Sequence, residues 1–95
     1  METLSRTQQM IVEECEAIKN ILLEKNRKYG DSAINPIRLF SKASATEQIK
    51  VRLDDKINRM KNMQDDEDED VPLDLIGYLI LMRVAEKFHN QKEPT

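Results

Sequence analysis

The sequence predicts an all-α protein, a small helical bundle of three main helices plus a short helix, completed by oligomerisation. Three observations lead there. Apolar residues recur at three- and four-residue spacing in the first two long stretches. Two capping-box patterns, Ser5-x-x-Gln8 and Ser44-x-x-Glu47, open those stretches. The third stretch, LDLIGYLILMRVAEKF, is apolar on nearly every face, more than two amphipathic partners can cover.

The first helix is expected over about residues 6–28, with Ile11, Cys15, Ile18 and Leu22 along one face. Gly30 supplies its stop, because glycine readily takes the positive-φ conformation just past a helix end. Lys25, Arg27 and Lys28 fall in the last turn, where the helix dipole favours cations. Pro36 suits the first turn of a short helix through residue 41, from which Ile37 and Phe40 pack inward. The second main helix starts after Ser44 and buries Ile49, Leu53, Ile57 and Met60, with Arg52, Asp55, Lys56 and Arg59 on the adjacent stripe. Residues 64–70, QDDEDED, repel one another and read as a solvated acidic linker. Pro72 marks the start of the third helix, about residues 71–90, in which Gly77 lets a second backbone come close.

A chain of 95 residues makes one domain, 1–95, with flexible ends at 1–5 and 91–95, and a core modest enough to need a partner subunit. Charged residues make up 35% and the mean hydropathy is −0.66, yet the apolar residues are clustered and periodic, which excludes a disordered chain. A net charge of −3 gives no global drive toward nucleic acid, which is not an expected partner. The single cysteine, Cys15, has no internal disulfide partner and reads as a small core residue. The N-terminus lacks an apolar signal region, and the longest apolar run, residues 75–82, is too short to span a bilayer. The expectation is a soluble cytoplasmic protein without a membrane partner.

Residues 25–40, KNRKYGDSAINPIRLF, are the one segment that no simple helix pattern explains. It gathers four cations, Tyr29, Phe40, a Gly-Asp pair and an Asn-Pro step. Loops of this kind on a rigid scaffold are common binding sites, and equally common as packed connections whose cations are solvated. Among the acidic groups, Glu13 and Glu16 share a face of the first helix and are able to offer two oxygens to Mg²⁺. Asp74 sits beside an apolar run, where an unpaired carboxylate is costly, so it calls for a cation: Lys56, Arg52 or Arg59, or a metal.

The pieces Lys28-Tyr29-Gly30, Arg52-x-x-Asp55-Lys56-x-x-Arg59 and Asp74-Leu-Ile-Gly-Tyr78, in that order over about residues 20–86, resemble the phage-encoded nucleotide-modification-associated domain group, distant relatives of the MazG-like all-α NTP pyrophosphatases. That resemblance implies an oligomeric α-helical protein that handles nucleotides in a phage setting, hence in the host cytoplasm. The pyrophosphatases hold Mg²⁺ with an ExxE pair and a later ExxD pair. Glu13-x-x-Glu16 is able to match the first, but the second reads Val71-Pro-Leu-Asp74 and lacks a ligand; Asp70, one residue too early, substitutes from the helix start only as a repair of the motif. The incomplete set leaves open whether the protein is an enzyme.

Three readings follow. In the leading one the chain binds a phosphorylated nucleotide or nucleotide-derived signal without turnover, sequestering it against host defence, with Lys28, Tyr29, Arg38, Phe40, Arg52, Lys56 and Arg59 as ligand-binding residues. Tyr29 or Phe40 would stack on the base. In the second, Glu13, Glu16 and Asp74 hold Mg²⁺ for pyrophosphate hydrolysis. In the third, the chain is a purely structural helical oligomer.

Overall fold

The computed structural model describes residues 3–62 and 69–91, and these are helical or irregular, with no strand among them. Three helices follow in order: α1, Arg6–Tyr29; α2, Ala45–Lys61; and α3, Val71–Gln91. Each boundary has a local cause. Ser5 accepts a hydrogen bond from the Gln8 amide while the Gln8 side chain accepts one from the Ser5 amide, so the box that opens α1 is closed in both directions. Gly30 ends α1 at φ 69°, ψ −154°, a region that side chains exclude, and its amide donates to the Asn26 carbonyl at 2.7 Å. At α2 only half of the expected box forms. Ser44 Oγ accepts from the Glu47 amide at 3.1 Å, but the Glu47 carboxylate turns to Lys50 instead. Asp70 opens α3, its Oδ1 accepting from the Leu73 amide at 3.0 Å and its carbonyl from the Asp74 amide at 2.9 Å.

The chain divides into two compact units, Met1–Gly30 and Asp31–Thr95. In the first, α1 is the only helix, so nothing within the unit covers its apolar stripe. Ile11 is exposed, and so is Cys15, which corrects the expectation that this cysteine belongs to a core. Ile18 and Leu22 are half-buried.

In the second unit α2 packs on α3. Ala45 and Ile49 from α2 meet Ala85 from α3, and Leu53, Tyr78, Leu81 and Met82 close around them. Ile49, 1% exposed, is the centre of this core, and burying it contributes about 1.5–3 kcal/mol. Ile34 joins from the preceding segment, because a turn in which the Ile34 and Asn35 amides both donate to the Asp31 carbonyl brings the chain back. The outer half of the expected α2 stripe is not covered: Ile57 and Met60 are about half exposed.

The short helix expected after Pro36 does not form. In residues 36–44 the bonds run to side chains rather than along a helical ladder. Arg38 Nε and Gln48 Nε2 both donate to the Ala43 carbonyl at 3.0 Å, and the Ala43 amide donates to Ser41 Oγ at 3.1 Å. A single isolated turn costs more entropy than its few bonds return, and these side-chain bonds win. Consequently Ile37 and Phe40 do not pack inward; they are 80% and 97% exposed.

Of the ends expected to be flexible, residues 1, 2 and 92–95 lie outside the described residues, and so do 64–68 of the acidic run. No helix among the described residues is long and apolar enough to cross a membrane.

Candidate functional site

The i, i+3, i+4, i+7 stripe Arg52, Asp55, Lys56, Arg59 runs beside the buried face of α2, which directs its C-terminal half toward the start of α3. There Lys56 Nζ lies 2.6 Å from Glu69 Oε1 and 3.1 Å from Asp74 Oδ2. Arg59 Nη1 reaches both Glu69 oxygens, at 3.2 and 3.1 Å. Its Nε stands 3.6 Å from Asp55 Oδ2, one helical turn earlier. The side chains of Lys56, Glu69 and Asp74 are 18%, 11% and 22% exposed, so their contacts are largely dehydrated, whereas Arg59 and Asp55, 43% and 61% exposed, pair in contact with solvent. Two cations meet three carboxylates, leaving one negative charge in excess.

The electrostatics follow from those contacts. The hydrogen bond from Lys56 holds the Glu69 carboxyl below the usual range, against the opposing pull of burial, and Arg59 adds to the effect. In return Glu69, then Asp74, hold the Lys56 ammonium above its ordinary value although desolvation works the other way. Both groups are charged near neutral pH, and the bonds between them are of the strong charge-assisted kind.

Asp74 thus has the cationic partner that its apolar surroundings call for, and the partner is Lys56. Glu69 was not among the residues singled out in the sequence. The acidic run reads as a solvated linker with some charge favouring the start of α3; Asp70 does cap α3, but the sixth residue of the run packs against two cations. The only sequence signal for this is position: Glu69 directly precedes the helix cap and so cannot lie far from the end of α2.

The other candidate residues are distributed as follows. Arg52, one turn before Lys56 on α2, lines an open groove of about 540 Å³ with Ser41, Ala43, Glu47, Gln48 and Val51, and has no ion pair among the described residues. Arg38 spends one N–H on the Ala43 carbonyl and borders a smaller cleft of about 270 Å³ with Ile34, the first residues of α2 and His89. Phe40 is free of packing. Lys28 and Tyr29 belong to the first unit, where the Lys28 ammonium sits 5.3 Å from the Tyr29 ring centre in the last turn of α1.

Glu13 and Glu16 also belong to the first unit, and Glu16 is paired with Lys19 at 2.7 Å. Among the described residues no group of three or more His, Cys, Asp or Glu side chains is arranged to hold a metal ion. Between Glu69 and Asp74 the place of a bridging cation is taken by the Lys56 ammonium, and Asp70 is committed to the α3 amides. No chemical step is therefore derived through a metal.

No protein-family model matches the sequence, and neither a curated protein nor a solved structure matches it.

Proposed function

We propose that this chain binds a phosphorylated nucleotide or nucleotide-derived signal at the cation stripe of α2, and that it does so as a homo-oligomer. The observation that carries the reading is the placement of Lys56, largely dehydrated, beside the more exposed Arg59, with the open groove of Arg52 one turn away. A planar guanidinium next to an ammonium suits phosphate oxygens, and both are oriented before any ligand arrives, which lowers the entropy cost of binding. The exposed Phe40 is available to stack on a base. That the ligand is a nucleotide rests on the resemblance to the phage nucleotide-modification group, in whose setting capture without turnover would withhold a signal from host defence.

Association is supported by apolar surface that the second unit leaves open. Leu79 and Ile76 on α3 and Ile57 and Met60 on α2 are between two-fifths and three-fifths exposed. A second reading, a structural helical oligomer, is favoured by one fact: both cations of the cluster already have carboxylate partners.

The test is titration calorimetry with a nucleotide panel, with and without Mg²⁺, on Arg59→Glu and Lys61→Glu. Lys61 lies on the same helix with no partner among the described residues, so its reversal controls for charge at fixed ionic strength. Binding lost in the first variant and kept in the second supports the site. Equal binding by the two, in proteins that circular dichroism shows to be folded, leaves the structural reading. Chromatography of the recovered nucleotide reports whether it was cleaved.

A further inference from the structure

We propose that α1 pairs antiparallel with α1 of a second copy of this chain, through the stripe Ile11, Cys15, Ile18 and Leu22. The inference goes beyond the homo-oligomer reading, on which it rests, by placing a seam in the first unit, separate from the open surface of α2 and α3. Most helices in proteins owe their stability to burial of an amphipathic face, and α1, 24 residues long, is the only helix of its unit. Its apolar stripe is correspondingly open. Ile11 is 56% exposed, Val12 beside it 49%, and the Cys15 thiol is exposed as well.

The charges of α1 indicate what covers that stripe and in which direction. Residues 5–16 carry Arg6 against Glu13, Glu14 and Glu16, two negative charges in excess. Residues 17–28 carry Lys19, Lys25, Arg27 and Lys28 against Glu24, three positive charges in excess. Such a helix is complementary to itself only when one copy is reversed. An antiparallel copy lays each acidic half over a basic half, whereas a parallel copy lays like on like. The opposed helix dipoles add the same preference.

The spacing then gives the register. Residues at 4-3-4 spacing form a coiled-coil seam, and only one antiparallel register opposes all four members of this one: Ile11 with Leu22 and Cys15 with Ile18, each twice about a two-fold axis. Gln8 then stands opposite Lys25 at either end, a polar layer that closes the seam within the bounds of α1.

The experiment uses a pair of exposed positions, Thr7 and Lys28, which lie three heptads apart on one flank of the seam and about 32 Å apart on one helix. In this register Thr7 of one copy stands beside Lys28 of the other, while the two Thr7 residues are about 28 Å apart along the axis. Three full-length variants are made in a Cys15→Ala background: Thr7→Cys, Lys28→Cys and the two together. Mild oxidation should cross-link the doubly substituted chain into a dimer on a non-reducing gel and leave both single variants uncross-linked. Light scattering gives the assembled mass of each, and circular dichroism its helix content.

Cross-linking of the single variants overturns the antiparallel register. Folded variants that assemble yet never cross-link overturn the seam and assign the stripe to an occupant other than α1 of a second copy, with association through α2 and α3 left intact. A monomeric wild type overturns this seam and the homo-oligomer reading together. Should the variants not fold, the wild type decides. Ile18 of the second copy covers Cys15, so reaction with a thiol reagent should slow as rising protein concentration drives association; a constant rate while light scattering records association refutes the pairing.

Discussion

Replacing Lys56 with methionine keeps most of the apolar stem and removes the ammonium that two carboxylates share. Removing one member of a fully buried ion pair costs about 3–5 kcal/mol, whereas an exposed pair contributes about 0–1 kcal/mol. The Lys56 and Asp74 side chains are 18% and 22% exposed, so water reaches the site in part and the cost of losing Lys56 falls between those limits, about 2 kcal/mol. For a domain of this size that lowers the melting temperature by roughly 8–16 °C. Lys50→Met is the reference, since its pair with Glu47 is a solvated i, i+3 contact and its loss should cost under about 0.5 kcal/mol. Both variants are melted by circular dichroism at one protein concentration, because association shifts the midpoint. If Lys56→Met melts within the error of Lys50→Met, the cluster is not a dehydrated clasp and the energetic reasoning about it fails.

Stability should also follow the titration of the clasp. The Glu69 carboxyl is lowered from 4.5, so its contribution is complete above that pH and is lost as pH falls through the lowered value; Lys56 is raised from 10.5, so its contribution is complete below that pH and is lost above it. The gap in urea midpoint between wild type and Glu69→Gln should therefore close below pH 4.5, and a gap equal at neutral and strongly acid pH would contradict the assignment. Leu79→Asp should dissociate or unfold the protein, because a charge in a dry seam is strongly unfavourable. Wild-type protein that light scattering finds monomeric at low micromolar concentration removes that seam.

The helices were legible because their ends are written in particular residues: Ser5 and Ser44 at the starts, Gly30 at a stop, Pro72 just inside α3. The ends of α1 and α3 and the start of α2 lie within about a residue of their expected places. That Asp74 needs a cationic partner was legible for a different reason, a single acid beside an apolar run; which of Lys56, Arg52 and Arg59 supplies it was not. Glu69 was hidden by its neighbours. In a run of seven residues containing six acids, composition describes an average, and which carboxylate docks is decided by where α2 ends relative to α3. Cys15 and Ile11 show a second limit, since periodicity identifies the apolar face of a helix and says nothing about whether another element covers it. Pro36 shows a third. It suits a helix start, but further on the Ala43 carbonyl and amide are taken by Arg38, Gln48 and Ser41, side-chain bonds over two to five residues that a helix-start signal does not reveal.

Glu69 and Asp70 are adjacent, yet one grips α2 and the other caps α3. The alignment of the two helices is thus tied to the spacing of the residues from 69 onward. A single residue inserted between Asp70 and Asp74 turns Asp74 by about 100° around α3 and carries it off Lys56. The residues from Glu69 to Asp74 therefore mark a register in which a change of length parts the two carboxylates that share Lys56.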